Sequence, residues 1–179
     1  KTEFATEPAL QRVIDANLAK FKNQNVTLNF HIAAPLPSLC MNAEVFNQML
    51  SLMLKAESEL TSSGGTVSIT AKPKENSVQL IFAASGAGFP PEVLGMVFDP
   101  FIMTTESSDT RALSLMGAFF LAYHLGGEIT TERSLNKQTI ELSLPTRSLN
   151  SDSEPESGQA FITNVLMNDT LWERLLPNG

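Results

Sequence analysis

Residues 67–82 read Val-Ser-Ile-Thr-Ala-Lys-Pro-Lys-Glu-Asn-Ser-Val-Gln-Leu-Ile-Phe. Val67, Ile69 and Ala71 alternate with polar residues, and Pro73 to Asn76 forms a turn-rich break. Val78, Leu80 and Phe82 then alternate again. Period two on both sides of a turn predicts a hairpin with one face on a core. Upstream, Ala43 to Leu60 carries Val45, Phe46, Met49, Leu50, Leu52, Met53 and Leu60, which predicts a mostly buried helix. Asn42 is its expected N-cap, and Thr61-Ser62-Ser63-Gly64-Gly65 its stop.

Further out the same logic holds. Leu10, Val13, Ile14, Leu18 and Phe21 predict an amphipathic helix, with Pro8 near its start. Val26, Leu28, Phe30 and Ile32 predict a strand that Pro35 and Pro37 close. Beyond the hairpin, Gly86 to Pro91 reads as a loop and Glu92 to Val97 as a short helix. Residues 100–111 lack periodicity and read as a loop or lid. Leu113 to Leu125 predicts a core helix ended by Gly126-Gly127. Ile129 opens one strand, and Ile140, Leu142 and Leu144 mark another that Pro145 ends. The order predicts an α+β fold, a two-layer α/β sandwich with a mixed, mostly antiparallel sheet covered by helices.

Composition bounds the function. The chain has 179 residues, 42% of them apolar, and a net charge of −7. That is enough for one domain with a real core, and too acidic for a nucleic-acid coat. One cysteine, Cys40, excludes an internal disulfide framework, and no Cys/His cluster suggests a metal site. No apolar run is long enough to span a bilayer. Opening on Lys1 with no basic-then-apolar leader reads as a fragment of a longer intracellular protein. Residues 147–159 are polar and acidic and read as a linker. Residues 160–179 read as an amphipathic helical tail that packs on the core or on a partner: Phe161, Ile162, Val165 and Leu166 make one apolar set. Thr170-Leu171-Trp172-Glu173 has the form of a capping box and opens another with Leu175 and Leu176. Residues 151–179 hold five acidic side chains and one basic, over half of the net charge.

Five blocks within residues 1–146 resemble, in order and spacing, the ATP-binding catalytic domain of bacterial sensor histidine kinases, of the GHKL ATPase superfamily. They are Phe46 to Gly65, Ala84-Ser85-Gly86-Ala87-Gly88, Val97-Phe98-Asp99-Pro100-Phe101, Gly126-Gly127-Glu128-Ile129 and Ile140 to Pro145. The resemblance implies that family's fold and a nucleotide pocket. It also marks where the pocket chemistry departs. A gapless count from Thr61 places Ala56 where active members carry a Mg²⁺-ligating asparagine, Glu57 at the alanine that follows it, and Leu52 at the earlier helix asparagine. Neither Ala nor Leu offers the hard oxygen that Mg²⁺ needs.

The family's Asp-x-Gly-x-Gly becomes Ala84-Ser85-Gly86-Ala87-Gly88: Gly86 and Gly88 stay, while the adenine-reading carboxylate is replaced by Ala84. Losing a charged hydrogen-bond partner costs about 1.5–3 kcal/mol, about ten- to a hundredfold in affinity. Ser85 is left as a weak acceptor. Phe98 and Phe101 match the F box. The glycine-rich phosphate loop becomes Thr110-Arg111-Ala112-Leu113-Ser114-Leu115, which keeps the packing leucines Leu113 and Leu115 and loses every glycine. Arg111 either reaches a phosphate or fills the emptied pocket by pairing with Asp109 or a partner.

Neither histidine is followed by an acidic residue as a phosphoacceptor would be, so His31 reads as a surface residue and His124 as a helix C-terminal one. Glu57 and Glu59, two apart on a helix, read as solvated or lid-facing.

The resemblance thus implies a degenerate, pseudokinase-type domain without ATP or Mg²⁺ as cofactors, serving as an interaction module in bacterial two-component signalling. The partners it implies are a response-regulator receiver domain, another histidine kinase or its own dimerisation helices, with a homodimer allowed and no nucleic acid. The expected location is cytoplasmic, including the cytoplasmic part of a membrane-anchored sensor. The alternative is a divergent but active ATP-binding domain that phosphorylates a histidine on a separate domain. A third reading makes the pocket between Ala56, Ala84 and Leu113 a receptor for another small ligand.

Overall fold

A computed structural model describes residues 1–85, 110–134 and 137–147. Its elements are β1 (Thr2–Phe4), α1 (Thr6–Asn23), β2 (Thr27–Ile32), β3 (Leu39–Met41), α2 (Ala43–Leu60), β4 (Thr66–Lys74), β5 (Ser77–Ser85), α3 (Thr110–His124), β6 (Glu128–Ser134) and β7 (Lys137–Pro145). Five strands form one mixed sheet in the order β2-β4-β5-β7-β6. Only β2 and β4 run parallel within it; the other pairs are antiparallel. The helices cover one face, which makes the expected two-layer α+β sandwich. The short helix expected at 92–97, the lid at 100–109, the linker beyond Arg147 and the tail at 160–179 lie outside the described residues.

The core is the set that the alternation selected. Val67, Ile69, Ala71, Val78, Leu80, Phe82, Ile140, Leu142 and Leu144 line one sheet face, and all are buried. Phe46, Met49, Leu50, Met53 and Leu54 of α2 and Leu10, Val13, Ile14 and Phe21 of α1 complete it. Methionine fills that core at Met41, Met49 and Met53. The hairpin turn is tighter than the tetrad suggested. Lys74 pairs with Ser77, so Glu75 and Asn76 alone make the turn, with Glu75 at φ 33°.

The helix ends follow from local chemistry. The Asn42 carboxamide oxygen accepts from Glu44 N (3.0 Å) and Val45 N (3.2 Å), satisfying two of the free amides of α2's first turn. Asn42→Ala should therefore cost about 1 kcal/mol, read as a lower urea midpoint at constant m value. After α3, Gly126 takes φ 78°; its N–H donates to Tyr123 O, and Gly127 N–H donates to Ala122 O, both at 2.8 Å. That paired pattern is a Schellman cap, for which a positive-φ glycine is the natural residue.

Two features differ from expectation. β1 and β3 pair antiparallel in a separate small sheet (Thr2 with Met41, Phe4 with Leu39) that the sequence did not reveal. Its strands are three residues long, too short for a period to register. The small sheet joins the large one through Cys40 N–H to Thr146 O (2.7 Å) and Thr146 N–H to Asn76 O (2.8 Å). Second, α3 begins at Thr110, so Thr110 and Arg111, expected in the loop, are helical.

Candidate functional site

The expected pocket residues belong to the last turns of α2, the end of β5 and the start of α3. Their positions can be built from the Gly64-Gly65 stop. Gly64 N–H donates to Asn25 O (2.8 Å) and Thr27 N–H to Gly65 O (2.9 Å), which pins the loop after α2 to the turn after α1. A Cβ added at Gly65 would lie 2.6 Å from Thr61 Cγ2, 2.8 Å from Ser62 O and 3.4 Å from Ser85 Oγ. The end of α2 and the end of β5 thus converge on a position that only glycine fits.

The expected residues fall as follows. Leu52 lies on the flank of α2 next to α3: a Cβ on Gly117 would stand 3.1 Å from its Cδ1. Ala56, one turn on, is fully buried. Ala84 is buried at the β5 end, paired with Val67 on one side and Gln138 on the other. Ser85 Oγ accepts a 2.8 Å hydrogen bond from Thr66 N–H, which occupies one of its two lone pairs. Leu115 is fully buried, as a packing leucine should be. Arg111 and Leu113 are in α3, and their side chains lie outside the described residues. Gly86, Gly88, Phe98 and Phe101 lie outside them altogether. Leu52 and Ala56 lie on α2, Ala84 and Ser85 at the end of β5, and Leu115 on α3, which packs against α2; apart from the Ser85 hydroxyl their side chains are alkyl groups.

Glu57 is the residue whose reading changes. It was expected to be solvated or lid-facing; at 2% exposed it is not solvated, and the lid lies outside the described residues. Phe46, Leu50, Met53, Glu57 and Thr61 recur at helical spacing, and all are buried, so Glu57 continues the core stripe of α2. Burial pushes its carboxyl up from an ordinary 4.5 to about 8, because desolvation disfavours the charged form. Glu57 Oε2 and Thr61 Oγ1 have no hydrogen-bond partner among the described residues. Glu59 does stay partly accessible, and its Oε1 stands 4.0 Å from Lys55 Nζ. His31 is exposed, as expected. The helical spacing could have flagged Glu57; its charge concealed it.

No group of three or more acidic, histidine or cysteine side chains that could hold a metal occurs among the described residues. Ala56 and Leu52, at the positions that the resemblance assigns to Mg²⁺ ligation, have no donor atoms. No described helix is long and apolar enough to cross a membrane.

Comparison with known proteins fits this geometry. The family model described as "Histidine kinase-, DNA gyrase B-, and HSP90-like ATPase" matches residues 42–163. The chain belongs to this family. Among solved structures, the nucleotide-free catalytic domain of the histidine kinase ThkA superposes with a TM-score of 0.70 at 21% identity, covering 83% of this chain and 97% of that one. ThkA in complex with the response regulator TrrA gives 0.60 at 22% identity, covering 81% and 41%. The adaptive-response sensory kinase SasA of Synechococcus elongatus is 25% identical over 114 residues, 63% of this chain and 30% of SasA. The chain therefore spans under a third of that relative's length. The fold is that of the histidine-kinase ATPase domain.

Proposed function

We propose that this is a degenerate histidine-kinase ATPase-like domain that has become a protein-interaction or regulatory module in bacterial two-component signal transduction. The observation that carries the reading is the joint burial of Ala56 and Ala84. At these two positions the family resemblance implies the Mg²⁺ ligand and the adenine-reading carboxylate, and both here end at a methyl group. Leu52 packed against Gly117, and Ser85 Oγ engaged with Thr66 N–H, support it. The domain then needs neither ATP nor Mg²⁺, and its surface does the work.

The proposed partner is a response-regulator receiver domain, with another histidine kinase or the parent's own dimerisation helices as further candidates. That a fold-mate is known in complex with a response regulator supports the first. A cytoplasmic location follows from the same role.

Titration of Mg-ATP and Mg-ADP to millimolar concentration by calorimetry should give no saturable heat, and no Mg²⁺-dependent rise in Tm. Binding at a Kd one-hundredth of the ligand concentration would add about 2.7 kcal/mol of stability. A saturable isotherm with that stabilisation would overturn the proposal in favour of a divergent, active kinase domain.

A further inference from the structure

The outer side of α3 is apolar where a surface helix is normally polar. Met116, Phe120 and Tyr123 recur at i, i+4 and i+7 and so share one stripe, about 10 Å or two turns long. All three remain half-exposed, while Leu115, Ala118, Phe119 and Ala122 on the opposite side are buried in the core. The principal neighbours of α3 among the described elements are α2 and β6.

We propose that this stripe is the docking surface for residues 160–179 of the same chain. The register of the sheet places the start of that segment's path at the correct end of the molecule. α3 ends at His124, and Glu128, four residues on, pairs with Ser143 of β7. β7 leaves the sheet at Pro145, so the chain exits beside the C-terminal end of α3. Residues 148–159, twelve in number, reach up to about 40 Å when extended, enough to cross a domain of this size.

The segment that follows carries a matching face. Leu171, Trp172, Leu175 and Leu176 form an apolar set about one and a half turns long after the Thr170–Glu173 capping box, short enough to lie along the α3 stripe. Attachment through a twelve-residue linker sets an effective concentration on the order of millimolar, which favours this chain's own tail over a free partner. Asp169, Glu173 and Arg174 are the charged side chains of residues 160–179, and Asp152, Glu154 and Glu156 keep the preceding linker solvated.

Trp172 is the only tryptophan, so it reports on the contact directly. In the full chain its emission should be blue-shifted and shielded from acrylamide, equally so at low and high protein concentration. Met116→Glu and, separately, Tyr123→Glu should each raise quenching severalfold, to the level of a free indole, with unchanged far-UV circular dichroism. Leu18→Glu, on the exposed side of α1, should leave it unchanged. Trp172 quenched like a free indole in the parent chain would overturn the proposal. So would shielding that both stripe variants leave intact. Shielding that appears only as concentration and sedimentation mass rise would assign the surface to a second copy instead.

Discussion

Replacing Glu57 by glutamine should flatten the pH dependence of stability by about 4–5 kcal/mol, the largest electrostatic effect expected among the described residues. The size follows from the gap between the ordinary carboxyl value of 4.5 and the buried value of about 8, at about 1.4 kcal/mol per unit. Because the folded value is the raised one, the native state binds more protons than the unfolded chain between these limits. Stability contributed by a neutral Glu57 is therefore present below pH 4.5 and is lost as pH rises through 8. Other groups titrate too, but they titrate equally in parent and variant, so the difference isolates Glu57. Urea denaturation at pH 5 and pH 8.5 should show a steeper fall for the parent, with the curves converging toward low pH. Parallel profiles would mean that the carboxyl is solvated after all.

That result would also mark the limit of what the sequence made visible. The strands of the large sheet were legible because alternation in residues 67–82 and 140–144 reports burial directly. The bounds of α2 were legible because Asn42 and Gly64-Gly65 are local signals whose effects span one turn. β1 and β3 were not, because Thr2–Phe4 and Leu39–Met41 are defined by pairing across more than thirty residues and not by a pattern within either. The start of α3 at Thr110 was missed because Thr110 and Arg111 add no apolar period. At the candidate site, Leu52, Ala56 and Ala84 could be placed because their elements were correct. Ser85 could not, since its 2.8 Å bond to Thr66 N–H depends on where β4 begins opposite β5. Glu57 was misread because its charge outweighed its spacing from Phe46, Leu50 and Met53.

Phe46→Ala should be the most damaging single change in the described core, at about 3–5 kcal/mol. Phe46 is fully buried, and its ring lies 5.3 Å, at a 53° tilt, from that of Phe4. That geometry is of the tilted type worth about 0.5–1.5 kcal/mol beyond area burial. The pair does more than fill space. Phe4 ends β1, and β1 pairs with β3, which leads directly into the Asn42 cap of α2. The ring contact therefore couples the small sheet to the first turn of the helix that carries Leu52, Ala56 and Glu57. Phe4→Ala, at a half-exposed position, should cost less. The double variant should fall short of the sum of the singles by about 0.5–1.5 kcal/mol, measured as a double-mutant cycle in urea. Strict additivity would show that β1 and β3 are a passive appendage. Coupling of that size would show that they help to orient α2, and with it the whole candidate site.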